Sequence, residues 1–313
     1  MVLAVPIDRA SAEPWQLDLF IDGRDALLVH EVVTSLARRA RDRATTALER
    51  LRAEQPLHPD VPALALLVAA LDAPPRGPVT HEALTASIDA LEHDVAPAAR
   101  RLLGQDAASF LRPAWEALAE AAEHLGFDAA HPHAHRSWLC QQYGDWAAVR
   151  AAVEAEPHWA TTRWLRHRLG LARHHLGASE EAIRLWLPLC WTDPDLFAQC
   201  APTLPSALLR DSWNAFESTL AVDDAFGDAP DAASWFPAWL LLRHRGLARL
   251  FRPDDIPEAS AAARVFRHLL VLLPLESGKL SDDVIRERRA LRELSPAFFR
   301  RYMAAIQSRQ PLA

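Results

Sequence analysis

Lysine is almost missing from this chain. Lys279 is the only one, and arginine carries the rest of the basic charge, as expected of a GC-rich bacterial gene. A basic excess is missing too: the formal net charge is −7, which argues against a general nucleic-acid binder. Only three cysteines are present (Cys140, Cys190, Cys200) and no CxxC, so a disulfide scaffold is not expected and a reducing cytoplasm is. The longest apolar run, Val61–Leu71, contains Pro62 and is too short to span a bilayer. The opening Met-Val-Leu-Ala-Val-Pro-Ile-Asp-Arg has neither the basic flank nor the apolar core of a secretory signal. No Walker loop, GxSxG, HExxH or dinucleotide fingerprint occurs, and no cofactor is expected.

Glycine is scarce at 10 residues, and no stretch alternates at period two for long enough to make a sheet. What remains is rich in Ala, Leu and Arg, residues that lose little freedom in a helix. The chain therefore reads as all-α. Residues 1–22 read as an extended lead-in. Leu28, Val32 and Leu36, then Ala44, Leu48 and Leu51, recur at helical steps, with a break near Arg39–Asp42. Val61–Leu71 reads as a helix buried all round, and Thr80 as the N-cap of a helix through Leu91. Helices over 95–104 and 107–125 complete an irregular N-terminal region, 1–126. The Gly126-Phe-Asp-Ala-Ala-His-Pro-His stretch separates it from a Trp-rich region, 127–313. Helices are expected there near 133–142, 145–155, 160–176, 179–191, 195–200, 205–220, 233–251, 257–273, 281–293 and 295–308. The loop Asp223–Asp231 is acidic.

Residues 164–194 are the most patterned stretch. Leu169-Gly170, a turn at Gly177, Ala182 with Trp186, and a stop at Pro194 lie at the spacing of a helical hairpin. This resembles the tetratricopeptide repeat, with Arg166 and Arg173 where that pattern has Trp and Tyr. Fainter echoes lie at Gly144-Asp-Trp, at Arg243–Arg249 with Phe266 and Pro274, and at Ala44, Leu48 and Pro56 within 24–56. The resemblance implies antiparallel hairpins stacked as an α-solenoid, closed by C-terminal capping helices. In that family the first helices line a concave groove. Trp138, Gln142, His167, Arg168, His174 and Arg243 would then face a peptide or protein partner. Leu171 occupies a key place of the family's carboxylate clamp, so that clamp is not expected.

His131-Pro-His133-Ala-His135 is the sharpest local cluster, and alternating imidazoles suit Zn²⁺ or Ni²⁺ if extended. On a helix, His131 and His135 would share a face while His133 pointed elsewhere. The main expectation is a non-catalytic scaffold holding a protein or peptide, with no membrane span. The alternative is a His-rich metal protein or enzyme centred on residues 131–175.

Overall fold

Proline and turn residues set the lengths of the helices. The computed structural model describes residues 15–72, 80–220, 232–258, 260–275 and 281–307, with side chains from Asp25 onward. The acidic loop at 223–231 lies outside them. Among the described residues there are helices and turns and no strand. No helix among them is long and apolar enough to cross a membrane. The chain forms two compact units, Met1–Gly144 and Asp145–Ala313.

The first unit holds α1 (Trp15–Ala37), α2 (Arg41–Glu54), α3 (Val61–Ala69), α4 (His81–Ala90), α5 (Ala96–Leu103), α6 (Ala107–Ala121) and α7 (Arg136–Gln142). Helix α1 is its axis and packs against α2, α3, α5 and α6. It already runs from Trp15, where an extended lead-in was expected. The break falls at Arg39, which adopts a left-handed φ of 53°. The Arg39 side chain reaches across the unit to donate to the Phe110 carbonyl at 2.7 Å. Thr80 does cap α4, its hydroxyl accepting from the Ala83 N–H at 3.2 Å. Helix α3 is apolar but buries one face only, through Leu64 and Leu67, because it lies at the side of the bundle and not within it.

The expected boundary near residue 126 sits inside this unit. His81 Nε2 donates to the Gly126 carbonyl at 2.9 Å, and the His81 and His131 rings stack at 6.1 Å. Trp138 of α7 meets Trp115 of α6 edge-on at 5.7 Å. Ring contacts and hydrogen bonds thus tie the whole stretch from Gly126 to α7 to the preceding helices.

The second unit holds α8 (Trp146–Glu154), α9 (Arg163–His175), α10 (Ser179–Trp186), α11 (Leu189–Thr192), α12 (Pro194–Cys200), α13 (Ala207–Leu220), α14 (Phe236–Arg243), α15 (Ala261–Leu275), α16 (Asp282–Leu294) and α17 (Pro296–Gln307). Most helices pack on their chain neighbours: α8 on α9, α9 on α10, α14 on α15, α15 on α16 and α16 on α17. Asp145 caps α8 and Asp193 caps α12, each carboxylate accepting from a first-turn N–H. The helix expected over 179–191 stops at Trp186, with Pro188 following, and the one over 233–251 becomes a 3₁₀ turn after His244. The core is aromatic: Trp186, Trp213, Phe216, Phe236, Trp239, Phe266, Phe298 and Tyr302 are buried together. Trp186, Trp213 and Trp239 fill this hydrophobic interior.

Candidate functional site

The sequence-selected residues divide between the two units. In the first, Trp138 is buried and the exposed His133 ring stacks on it at 4.6 Å and 11°. Gln142 donates to the Trp138 carbonyl at 3.3 Å. In the second, Arg168 is only 2% exposed, and burial pulls its guanidinium down to about 9. His167 beside it is pushed down to about 4, first by burial and then by the Arg168 charge. His174 lies edge-on to His175 at 5.8 Å, and its Nδ1 is buried without a hydrogen-bond partner. Arg243 is exposed and lies over the Trp239 ring at 4.3 Å. It lines a cavity of about 450 Å³ with Thr219, Trp239, Leu242 and Arg301.

The three clustered imidazoles do three separate jobs. His131 Nδ1 pairs with Asp128 at 2.9 Å, and that contact holds the Asp128 carboxyl below its usual range. His133 stacks on Trp138. His135 is buried as the N-cap of α7: its Nδ1 accepts from the Ser137 N–H at 3.2 Å and lies 2.7 Å from the Ser137 hydroxyl. An Nδ1 that accepts leaves the proton on Nε2. Among the described residues no group of three or more His, Cys, Asp or Glu side chains converges to hold a metal.

A well-formed cleft lies elsewhere, wholly within the first unit. Its volume is about 780 Å³, inside the range of roughly 300–1,000 Å³ usual for ligand sites. Glu92, His93 and Arg100 come from the α4–α5 side, Gln105 from the turn before α6, Ser109, Arg112 and Trp115 from α6, and Gln142 and Tyr143 from the end of α7.

Two prolines inside helical segments shape it. Between α4 and α5 the chain does not stop, as the sequence suggested, but widens into a π turn over Leu91–Val95, with the Ala96 N–H bonded to the Leu91 carbonyl. Pro97 follows directly. Its ring would crowd the His93 carbonyl in an unbroken α-helix, and the wider turn relieves that clash. The turn brings Glu92 and His93 to the cleft. The His93 ring folds back, its Nδ1 donating to the Asp89 carbonyl at 3.0 Å. In α6, Pro113 has no N–H to offer the Ser109 carbonyl four residues back.

The cleft is held open by fixed side chains. Arg112 donates to the Tyr143 carbonyl at 3.0 Å and lies over the Tyr143 ring at 5.6 Å, while the Tyr143 hydroxyl donates to Cys140 Sγ at 3.3 Å. Arg112 also pairs with Glu116 one turn along α6, at 3.5 Å. Arg100 is exposed and makes no hydrogen bond or ion pair among the described residues. Glu92 is half-buried, and desolvation raises its carboxyl above the usual range against the weaker opposing pull of His93. The arrangement offers two guanidiniums, two carboxamides, a hydroxyl, and aromatic walls from Trp115 and Tyr143.

No protein family, curated protein or solved structure matches the chain. The cleft is therefore read from its own chemistry.

Of its lining, only Gln142 is among the residues that the repeat pattern points to. A signal for the α6 part of it was Pro113, set inside an expected helix where a proline needs a reason.

Proposed function

We propose that this chain is a non-catalytic binding protein of tetratricopeptide-like build that holds an extended peptide segment of a protein partner in the cleft of its first unit. The observation that carries the reading is the lining of that cleft. Gln105, Gln142, Ser109 and the donor-poor Ser109 carbonyl suit the alternating donors and acceptors of a peptide backbone. Trp115, Leu111 and Tyr143 give side-chain surface. No nucleophile–base pair lines it: Ser109 is its only hydroxyl on an aliphatic carbon, and His93 is turned onto its own helix. The solenoid part of the reading is supported by the α9–α10 hairpin, by chain-neighbour packing in the second unit, and by the spacing of Gly144 and Gly177.

The test is selection of displayed peptides on the intact chain, followed by calorimetric titration of wild type and Ala108→Trp. Ala108 lines the cleft from the exposed face of α6, so an indole there fills the cleft without entering the core. Selected peptides should bind wild type and lose most of their affinity for a variant of unchanged circular dichroism. Peptides that bind both proteins equally, or a failure to select any, would remove this function from the cleft.

A further inference from the structure

We propose that the cleft selects an acidic peptide segment, binding a side-chain carboxylate between Arg100 and Arg112; this rests on its reading as a peptide site. The chain as a whole carries a formal charge of −7 and repels acidic ligands at long range. The cleft has the opposite local balance. Arg100 and Arg112 stand on neighbouring helices, α5 and α6, and line the same space. Arg100 makes no hydrogen bond or ion pair among the described residues and interacts with Glu92 only through charge at longer range, so its fork is open to a ligand. Arg112 is pre-oriented by the Tyr143 carbonyl and ring and by a long 3.5 Å pairing with the exposed Glu116, so little ordering is needed when its remaining N–H groups receive a carboxylate.

Glu92 is the one carboxylate in the lining. The charged groups that act on it are Asp89 from α4, His93 beside it in the π turn and Arg100 from α5. A bound carboxylate shares Arg100 with Glu92 and repels it. Like charges crowded together push a carboxyl toward its protonated form. Binding therefore draws a proton onto Glu92, and affinity falls as the pH rises through the titration of that group. Raising the pH weakens the site; removing the Glu92 charge strengthens it.

The experiment measures fluorescence polarisation of labelled hexaglutamate, hexaglutamine and hexalysine with the intact chain between pH 5.5 and 8, where hexaglutamate stays largely ionised. Hexaglutamate is expected to bind about tenfold more tightly than either other peptide. Arg100→Gln and Arg112→Gln should each weaken it by about tenfold, and Glu92→Gln should tighten it at pH 8 and flatten its pH profile. Equal or tighter binding of hexaglutamine or hexalysine overturns the acidic selectivity. So does hexaglutamate binding that ignores both arginine substitutions. Glutarate displacing the label as well as unlabelled hexaglutamate does overturns the peptide part and leaves a small carboxylate site. Display-selected peptides that still need an open cleft at Ala108 would show, in either of the first two cases, that peptide binding stands while the acidic selectivity does not.

Discussion

Gly170 of α9 lies against the indole of Trp186 of α10. A Cβ at Gly170 would meet the indole ring, with Cε2 at 2.6 Å, and Trp186 itself is fully buried. The indole N–H donates to the His167 carbonyl at 3.2 Å, so the ring cannot slide aside without leaving that bond unmade. Gly170→Ala is expected to destabilise the chain by about 2–3 kcal/mol, the cost of forcing an extra carbon into a packed core. Urea denaturation measures it. Gly170→Ala combined with Trp186→Phe should lose less than the two changes added together, because the smaller ring vacates the space the methyl needs. Additive losses would mean that Gly170 matters for another reason.

That pair was legible in the sequence because close helix crossing leaves a fixed trace: a small residue on one helix and a large one on the next, separated by a turn. Gly177 supplies the turn with φ of 88°, and the Ala178 N–H closes it onto the Arg173 carbonyl at 2.8 Å. The turn after α1 was legible as a break but not in kind. Arg39 takes the conformation that glycine takes at 177, and its reach to Phe110 is a contact across 71 positions that no local pattern records. Burial was harder still. Arg168 carries the residue type of a solvated helix face yet is packed inside, since which face of α9 meets α8 and α10 depends on tertiary docking. The cleft stayed hidden for the same reason: its lining comes from the π turn after α4, from α5, from α6 and from the end of α7, and converges only in the fold.

His167 gives the second unit a pH dependence of definite sign. Its ring is neutral in the folded chain down to about pH 4, while an unfolded histidine gains its proton near the ordinary value of 6.5. Between those values the unfolded chain binds more protons, so stability rises with pH. Stability from this group is fully present above pH 6.5 and is lost as the pH falls toward 4, by about 3 kcal/mol in total. His167→Gln should flatten the slope of unfolding free energy between pH 5 and 6.5, a range that lies above most carboxylate titration. The backbone carbonyl that holds Trp186 is untouched by that change. Equal slopes in both proteins would mean that the imidazole is hydrated in the folded state.

Arg168→Glu separates a packing role from a groove role. A partner-facing arginine would lose binding on reversal and leave the fold alone. At 2% exposure, reversal places a carboxylate in a site shaped around a cation, beside residues that desolvate it. The expected outcome is a loss of more than about 3 kcal/mol of stability, read as a large fall in Tm. Arg168→Met keeps the length without the charge and is expected to fold. Should Arg168→Glu keep the wild-type Tm, the side chain reaches water and the groove reading of α9 regains its ground.

His135 decides between a cap and a ligand for the histidine cluster. As a cap, its Nδ1 accepts the Ser137 N–H at the start of α7, and Asp at the same position can accept in its place. His135→Ala should cost about 1 kcal/mol, and His135→Asp should recover part of that loss. As a metal ligand, the imidazole would act with His131 and His133, and neither Ala nor Asp would restore the tetrahedral nitrogen set that zinc favours. The structure gives His131 to Asp128 and His133 to Trp138, so stoichiometric Zn²⁺ is expected to leave the Tm unchanged. A rise in Tm with one equivalent of Zn²⁺, lost in His135→Asp, would instead establish a metal site that forms only when the ion pulls these three rings from their present partners.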